Sequence, residues 1–298
     1  MNNFKFGVTN ILVIGDLMID HYLWGKCERI SPEAPVQVVN VQKESSVLGG
    51  AGNVINNLRA MGSNVEVISV IGNDDAANEL KTLLNQINVS SQMLVVEKNR
   101  KTSKKSRLIA SQQQVLRYDK ESIEDISKES ENKIIEELSI NITKYDAIIL
   151  SDYGKGVLTT SLTQNIISIA NKQNKKVFVD PKGKDYSKYK GAYTLTPNKK
   201  EAIEATNIDI KDENSLINAI KKLKDDCDLD VSLITLSEHG IAIFDENLVV
   251  KPTVAREVYD VTGAGDTVIA SVAFALSNKL TIKEAINFAN LAAGVVVG

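Results

Sequence analysis

Short apolar runs that close on a small or polar residue, alternating with helical segments, limit what this chain can fold into. Ile11–Ile14 leads into Gly15-Asp16, Ala147–Leu150 into Ser151-Asp152, and Val177–Val179 into Asp180-Pro181. Val65–Ile71, Tyr193–Thr196 (closing on Pro197-Asn198) and Val231–Leu236 read as further strands. Helical patterns separate them at Asn53–Met61, Asp74–Asn85, Leu162–Lys172, from Lys199 onward and at Leu216–Lys224, with two more after Gly265 and Thr281. Strands apolar on both sides need helices on both sides, so the pattern predicts an α/β fold with a doubly wound, mostly parallel sheet. Ile241–Phe244 and Leu248–Val250 predict an antiparallel hairpin.

Two stretches break the rhythm. Residues 17–43 and 92–118 alternate polar and apolar side chains, as expected of a small β-sheet lid standing off the body. In the second stretch MLVVE and SRLIASQQQVLRYD read as the paired strands. Glu121–Glu137 reads as a charged helix with a solvated face. The 298 residues suit one domain or two small ones, and the 43% hydrophobic content supports a sizeable core. A net charge of −3 argues against nucleic-acid binding. No apolar run is long enough for a membrane helix and no signal peptide is evident, so a cytoplasmic location is expected. Cys27 and Cys227 have no metal-ligand spacing and read as a reduced pair.

In such sheets ligands bind at the carboxyl ends of the strands. Asp16, Asp20, Gly49, Gly50, Asn53, Asp152, Asp180, Asn198, Glu201, Thr235 and Asp266 all fall at or near such ends. The densest signal is Asp260-Val-Thr-Gly-Ala-Gly-Asp266, a glycine-rich turn opening into an apolar helix. Gly263 and Gly265 permit close approach of a ligand, and the helix start offers free N–H groups to an anion. A carboxylate at that mouth opposes anion binding unless it takes a proton, which is the arrangement for phosphoryl transfer to an alcohol. A capping aspartate gives the same local pattern.

The DVTGAGD turn resembles the C-terminal signature of the ribokinase-like (PfkB) carbohydrate kinases, and LGGAGNVINNLRAMG (residues 48–62) their N-terminal one. TPNKKE (196–201) is similar to their Asn-x-x-Glu motif and LITLSEHG (233–240) to their nucleotide-loop strand. GDLMIDHYLWGKCERISPEAPVQVV (15–39), SDYGKGVLT (151–159), DPKGKDYSKYKGA (180–192) and EVYDVTGAGDTVI (257–269) resemble the bacterial D-glycero-D-manno-heptose 7-phosphate kinases. The resemblance implies one ribokinase-like kinase domain over residues 1–298, using ATP and Mg²⁺, with K⁺ a further candidate. It also implies phosphorylation of heptose 7-phosphate at the anomeric hydroxyl, toward ADP-heptose and lipopolysaccharide, with another sugar or sugar phosphate as the alternative acceptor. Flaps of this kind pair between subunits in the family, so a homodimer through the lid is expected. Many such kinases carry a C-terminal adenylyltransferase domain. No segment here reads as one, and the chain stops at Gly298, where the family continues.

On this resemblance Asp266 is the expected general base, and the N–H groups of Gly263, Ala264 and Gly265 stabilise the transferred charge. Asn198 and Glu201 are expected at the phosphates and Mg²⁺, Glu201 partly through water; a helix-capping pair would use the same residues. Lys199, Lys200, Thr235, Ser237, Gly240 and Asn290 are nucleotide-side candidates, with Lys182 nearby. Asp16, Asp20, Gly49, Gly50, Asn53 and Asp152 are sugar-side candidates. Lys105, Arg107, Arg117 and Lys155 are candidates for the 7-phosphate, each equally readable as a solvated surface charge. His21 reads as part of the lid and His239 as a turn residue. A nicotinamide-dependent oxidoreductase would need GxGxxG after the first strand, where Gly15-Asp16-Leu17 stands instead. A binding protein without turnover would not need Asp266, Asn198 and Glu201 together.

Overall fold

The computed structural model describes residues 6–253 and 263–297. The chain enters on β1 (Asn10–Gly15), leaves the body as the long strands β2 (Leu17–Ile30) and β3 (Gln37–Gly50), and returns through α1 (Ala51–Ala60) to β4 (Asn64–Ile71). Then come α2 (Asp75–Gln86), β5 (Leu94–Val96), β6 (Ser103–Ala110), β7 (Gln113–Lys120), α3 (Lys128–Asn141), β8 (Ala147–Ser151), α4 (Thr160–Lys172) and β9 (Lys176–Asp180). The remainder is β10 (Thr194–Leu195), α5 (Lys199–Thr206), α6 (Glu213–Cys227), β11 (Ser232–Thr235), β12 (Ile241–Phe244), β13 (Leu248–Lys251), α7 (Ala264–Ser277) and α8 (Ile282–Val297).

Six strands pair in parallel in the order β10-β9-β8-β1-β4-β5. Successive side chains on a strand point to opposite faces, and the core divides accordingly. Leu12, Ile14, Ile148, Leu150, Val177 and Val179 pack with α3, α4 and α6 on one side. Ile11, Val13, Val65, Val67, Ile149 and Phe178 pack with α1, α2 and α7 on the other. The expected doubly wound sheet is therefore present. The antiparallel strands β11-β12-β13 abut its edge, where Val231 N–H donates to Tyr193 O and Thr235 N–H to Pro197 O. No helix among the described residues is long and apolar enough to cross a membrane. Cys27 and Cys227 are both free.

The lid is a separate four-stranded sheet in the order β3-β2-β6-β7. It differs from expectation in its bounds, because β3 runs on to Gly50 and the second segment forms a hairpin over residues 103–120. The MLVVE segment belongs elsewhere: β5 pairs with β4 at the edge of the main sheet, and Leu94 and Val95 are buried there. An apolar run of three can satisfy either sheet, and only the docking of α3 against β5 favours this one. The charged helix begins later than expected, at Lys128 after the Ser127 cap. Its face is not wholly solvated either. Glu131 is buried, accepting bonds from Thr159 Oγ1 (2.6 Å), Ser161 Oγ (3.2 Å) and Lys128 Nζ (2.7 Å).

Candidate active site

The carboxyl ends of β8, β9 and β11 and the start of α7 surround a cleft of about 600 Å³. Asp152, Asp180, Asn198, Lys199, Lys200, Glu201, Thr235 and Ser237 line it, together with Gly263, Ala264, Gly265 and Asp266. Asp260, Val261 and Thr262 lie outside the described residues. Gly263 sits in the left-handed region (φ 78°) as the residue before α7, which lets the chain turn into the helix. The first N–H groups of a helix have no intrahelical partner, and this start lines the cleft.

Asp266 lies in the first turn of α7 and is only 6% exposed. Asn53 Nδ2, on α1, donates to its Oδ2 at 2.8 Å, and the Tyr153 hydroxyl donates to its Oδ1 at 2.7 Å. Burial pushes its carboxyl above the usual range, partly offset by those two hydrogen bonds. A raised pKa means a stronger affinity for a proton, the property a general base needs. Sequence reasoning placed Asn53 on the sugar, but its amide N–H is given to Asp266. It missed Tyr153 altogether, although SDYGKG sets that residue just past the end of a buried strand.

Asp16 and Asp152, expected at the sugar, have other partners. Asp16 is 1% exposed and accepts backbone N–H bonds from Tyr153 (2.8 Å), Lys155 (3.0 Å) and Val157 (3.2 Å). It shapes the turn after β8, and burial followed by repulsion from Asp152 raises its carboxyl. Asp152 takes the Gly154 N–H (2.8 Å), Lys188 Nζ (2.5 Å) and the Tyr189 hydroxyl (2.7 Å). Gly49 and Gly50 close β3 beside Met18 and Leu17, and a Cβ at Gly49 would collide with the Asp20 carboxylate.

The cations sort by their partners. Arg107 pairs with Asp20 at 2.6 Å, Lys155 with Glu121 at 2.6 Å, and Arg117 with Asp119 through two bonds of 2.9 and 2.8 Å. Lys105 has no ion pair among the described residues, and its ammonium stands 6.0 Å from the centre of the Tyr153 ring. Burial and the nearby Lys155 charge pull its pKa down. Lys155 and Arg117 crowd it with positive charge and the nearby carboxylates of Glu121 and Asp20 only partly offset this, an environment that favours an added anion.

Asn198 and Glu201 form the capping box of α5: Asn198 Oδ1 accepts from Glu201 N–H and Glu201 Oε2 from Asn198 N–H, both at 3.0 Å. The capping arrangement is therefore present, while Glu201 Oε1 reaches Lys182 Nζ at 3.2 Å. Across the cleft Asp180 carries a carboxyl raised by burial and by the charges of Asp266 and Glu201. Oxygen donors carrying more negative charge than the single Lys182 offsets suit a hard divalent cation that keeps water and phosphate ligands. Among the described residues no three acidic, His or Cys side chains converge closely enough to hold an ion alone. A second, smaller cavity of about 240 Å³ lies behind α7, lined by Thr235, Ser237, Gly240, Val268, Asn290 and Ala293. Gly240 (φ 91°) turns the chain there, and Asn290 Nδ2 donates to Pro252 O at 2.5 Å. Its lining is largely apolar, it shares Ala264 and Gly265 with the larger cleft, and it has the character of a slot for a planar apolar group.

A helix start facing a cleft, a buried carboxylate beside it and a lid over the far side define a kinase of small alcohols. Residues 8–298 match the pfkB family carbohydrate kinases, and the chain belongs to that family. It is 80% identical over 289 residues to the bifunctional protein HldE of Aliarcobacter butzleri, covering 97% of this chain and 61% of that one. It is 62% identical over 298 residues to HldE of Sulfurimonas denitrificans, covering 100% and 62%. The chain thus spans about three fifths of the length of these curated relatives. Among solved structures, Arabidopsis thaliana ribokinase complexed with ribose and ATP superposes with a TM-score of 0.74 at 18% identity, over 98% of this chain and 93% of that one. Escherichia coli phosphofructokinase-2 in complex with potassium gives 0.78 at 18% identity, over 98% and 93%. These likenesses speak for the fold.

Proposed function

We propose that this chain is a single kinase domain transferring the γ-phosphoryl group of ATP to the anomeric hydroxyl of D-glycero-D-manno-heptose 7-phosphate. The product is the 1,7-bisphosphate, for ADP-heptose and lipopolysaccharide core synthesis in the cytoplasm. The observation that carries the reading is Asp266, buried and held by two donors beside the free N–H groups of α7. Asp266 takes the hydroxyl proton as that oxygen bonds to the γ-phosphorus. The bond to the β-phosphate oxygen breaks and ADP leaves. The N–H groups of Gly263, Ala264 and Gly265 face the charge on the transferred group. Asn198 and Glu201 would hold Mg²⁺ with its waters, and the ion would neutralise the nucleotide phosphates. Thr235, Ser237, Gly240 and Asn290 would line the adenosine side, with Lys199 and Lys200 at the phosphates. Asp20 and the backbone at Gly49 and Gly50 would meet the sugar.

Lys105 supports a phosphorylated acceptor, since no carboxylate among the described residues pairs with it. The HldE relatives support the same acceptor. A lid homodimer fits the exposed Val41, Val47, Leu116 and Tyr118 on its strands. The test is a coupled ADP-release assay comparing heptose 7-phosphate with ribose, fructose and fructose 6-phosphate, repeated with Na⁺ in place of K⁺. Heptose 7-phosphate is expected to give the highest kcat/KM. A preference for another sugar assigns a different kinase of the family.

A further inference from the structure

The proton acceptor is gripped by side chains 213 and 113 positions away in the sequence, one from α1 and one from the turn after β8. We infer that Tyr153 is a positioning residue for the base. Its hydroxyl bond to Asp266 Oδ1 sets which carboxylate lone pair faces the acceptor hydroxyl. The inference rests on Asp266 as the base and not on the identity of the sugar.

The Tyr153 ring is delivered by a turn with little freedom. The N–H groups of Tyr153, Lys155 and Val157 all end on the Asp16 carboxylate, and Gly154 N–H ends on Asp152 Oδ1. Gly154 adopts φ 66°, a left-handed conformation that keeps the turn tight. With the backbone fixed at four points, the hydroxyl position is set by the ring alone. A carboxylate held by a single donor could swing about its χ2 torsion, whereas one donor on each oxygen fixes its plane. Each oxygen then keeps a free lone pair, and the two free pairs point in defined directions.

Tyr153 acts as a donor and not as a base of its own. Burial, then the charge of Asp266, pushes its phenol far above the ordinary range, so the hydroxyl stays protonated at working pH. The charged groups around Asp266 are Asp20 on β2, which raises its carboxyl further, and Asp180 at the end of β9, which couples to it. Lys105 on β6 lies over the Tyr153 ring and makes no bond to Asp266. The hydrogen bonds from Asn53 and Tyr153 are therefore what oppose the effect of burial on Asp266. Loss of the Tyr153 hydroxyl raises the Asp266 pKa, and activity that needs the ionised carboxylate is lost at a higher pH as the solution is acidified. The same turn carries Lys155, so the residue that orients the base and one candidate cation share a single support.

The experiment is Tyr153→Phe, which keeps the ring, its packing and the Asp16-clamped backbone, assayed beside Asp266→Asn. The expected result is a fall in kcat of about 10- to 100-fold, the scale of a misplaced catalytic group, with KM for ATP unchanged. The acid limb of the kcat–pH profile is expected to move to higher pH. Activity retained by Asp266→Asn overturns the base assignment and this inference with it. Loss in Asp266→Asn with an unchanged kcat and pH profile in Tyr153→Phe overturns this inference alone. A Tyr153→Phe loss uniform in pH and matched by a lowered melting temperature also overturns it, because it marks a residue that only supports the fold.

Discussion

Asp266→Asn separates what the buried carboxylate does for chemistry from what it does for the fold. The side chain keeps its shape but loses its charge and one acceptor. If the new amide nitrogen faces Tyr153, whose hydroxyl can turn and accept, the Asn53 donor still finds an oxygen and both bonds survive. The opposite orientation sets two donors against each other, so the first is selected. Each bond changes from charge-assisted to neutral, a loss of about 1 kcal/mol apiece. Against that, the variant no longer buries a charge, and burial is the leading cause of the raised Asp266 pKa. A carboxyl whose pKa is raised on folding binds more protons in the native state, so its contribution to stability falls as pH rises from its unfolded to its folded pKa. Asp266→Asn lacks that loss. Its melting temperature relative to the parent is expected to improve as pH rises through this window, and the two should stay within about 3 °C of each other at pH 8. Turnover is expected to fall by about 10²–10⁴-fold, or about 3–5 kcal/mol of barrier, with ATP and acceptor binding retained. Single-turnover ADP release, calorimetric titration of ATP and scanning calorimetry from about pH 4 to 8 measure all three. Near-normal turnover refutes the base, and a variant that loses stability relative to the parent as pH rises refutes the account of burial.

Other substitutions probe the groups around it. Gly263→Ala forces a side chain into φ 78°, costing about 1–2 kcal/mol, and brings its Cβ to 2.5 Å from Asn53 Nδ2, so Asn53 must leave Asp266. A drop in kcat with a modest fall in melting temperature is expected, and unchanged kcat sinks the Asn53–Asp266 contact as a working bond. Lys105→Met keeps the stem and deletes the charge. KM for a phosphorylated acceptor should rise by about tenfold or more, the scale of one lost charge-assisted bond, with KM for ATP unchanged. An equal effect on phosphorylated and unphosphorylated sugars would place the acceptor's phosphate elsewhere.

Much of the architecture was legible locally because strand and helix periodicities are local. Ile11–Ile14 and Ala147–Leu150 could only be buried strands, and the polar residue after each had to sit at the ligand-binding edge. Gly263 and Gly265 before an apolar stretch marked the helix start that lines the cleft for the same reason. Assignments that depended on a choice between equivalent partners went astray. Residues 94–96 suit the lid or the main sheet equally by pattern, and packing against α3 chose the main sheet. Glu131 looked solvated because nothing nearby in sequence announces Thr159 and Ser161.

What the sequence determined by itself is the frame: which segments are strands, which edge carries polar groups, and which carboxylate stands in the first turn of the apolar helix α7. Pairing was decided by the tertiary structure alone. Asp16 and Asp152 carry the same chemistry at the same kind of position, yet one is spent on backbone N–H groups and the other on Lys188 and Tyr189. Of four candidate cations, three found carboxylates and, among the described residues, Lys105 did not. Asp266 acquired its donors from α1 and from the turn after β8. The reason is physical: periodicity says which way a side chain points, but a hydrogen bond needs two atoms within about 3 Å. For residues a hundred or more positions apart, only the packed chain sets that distance.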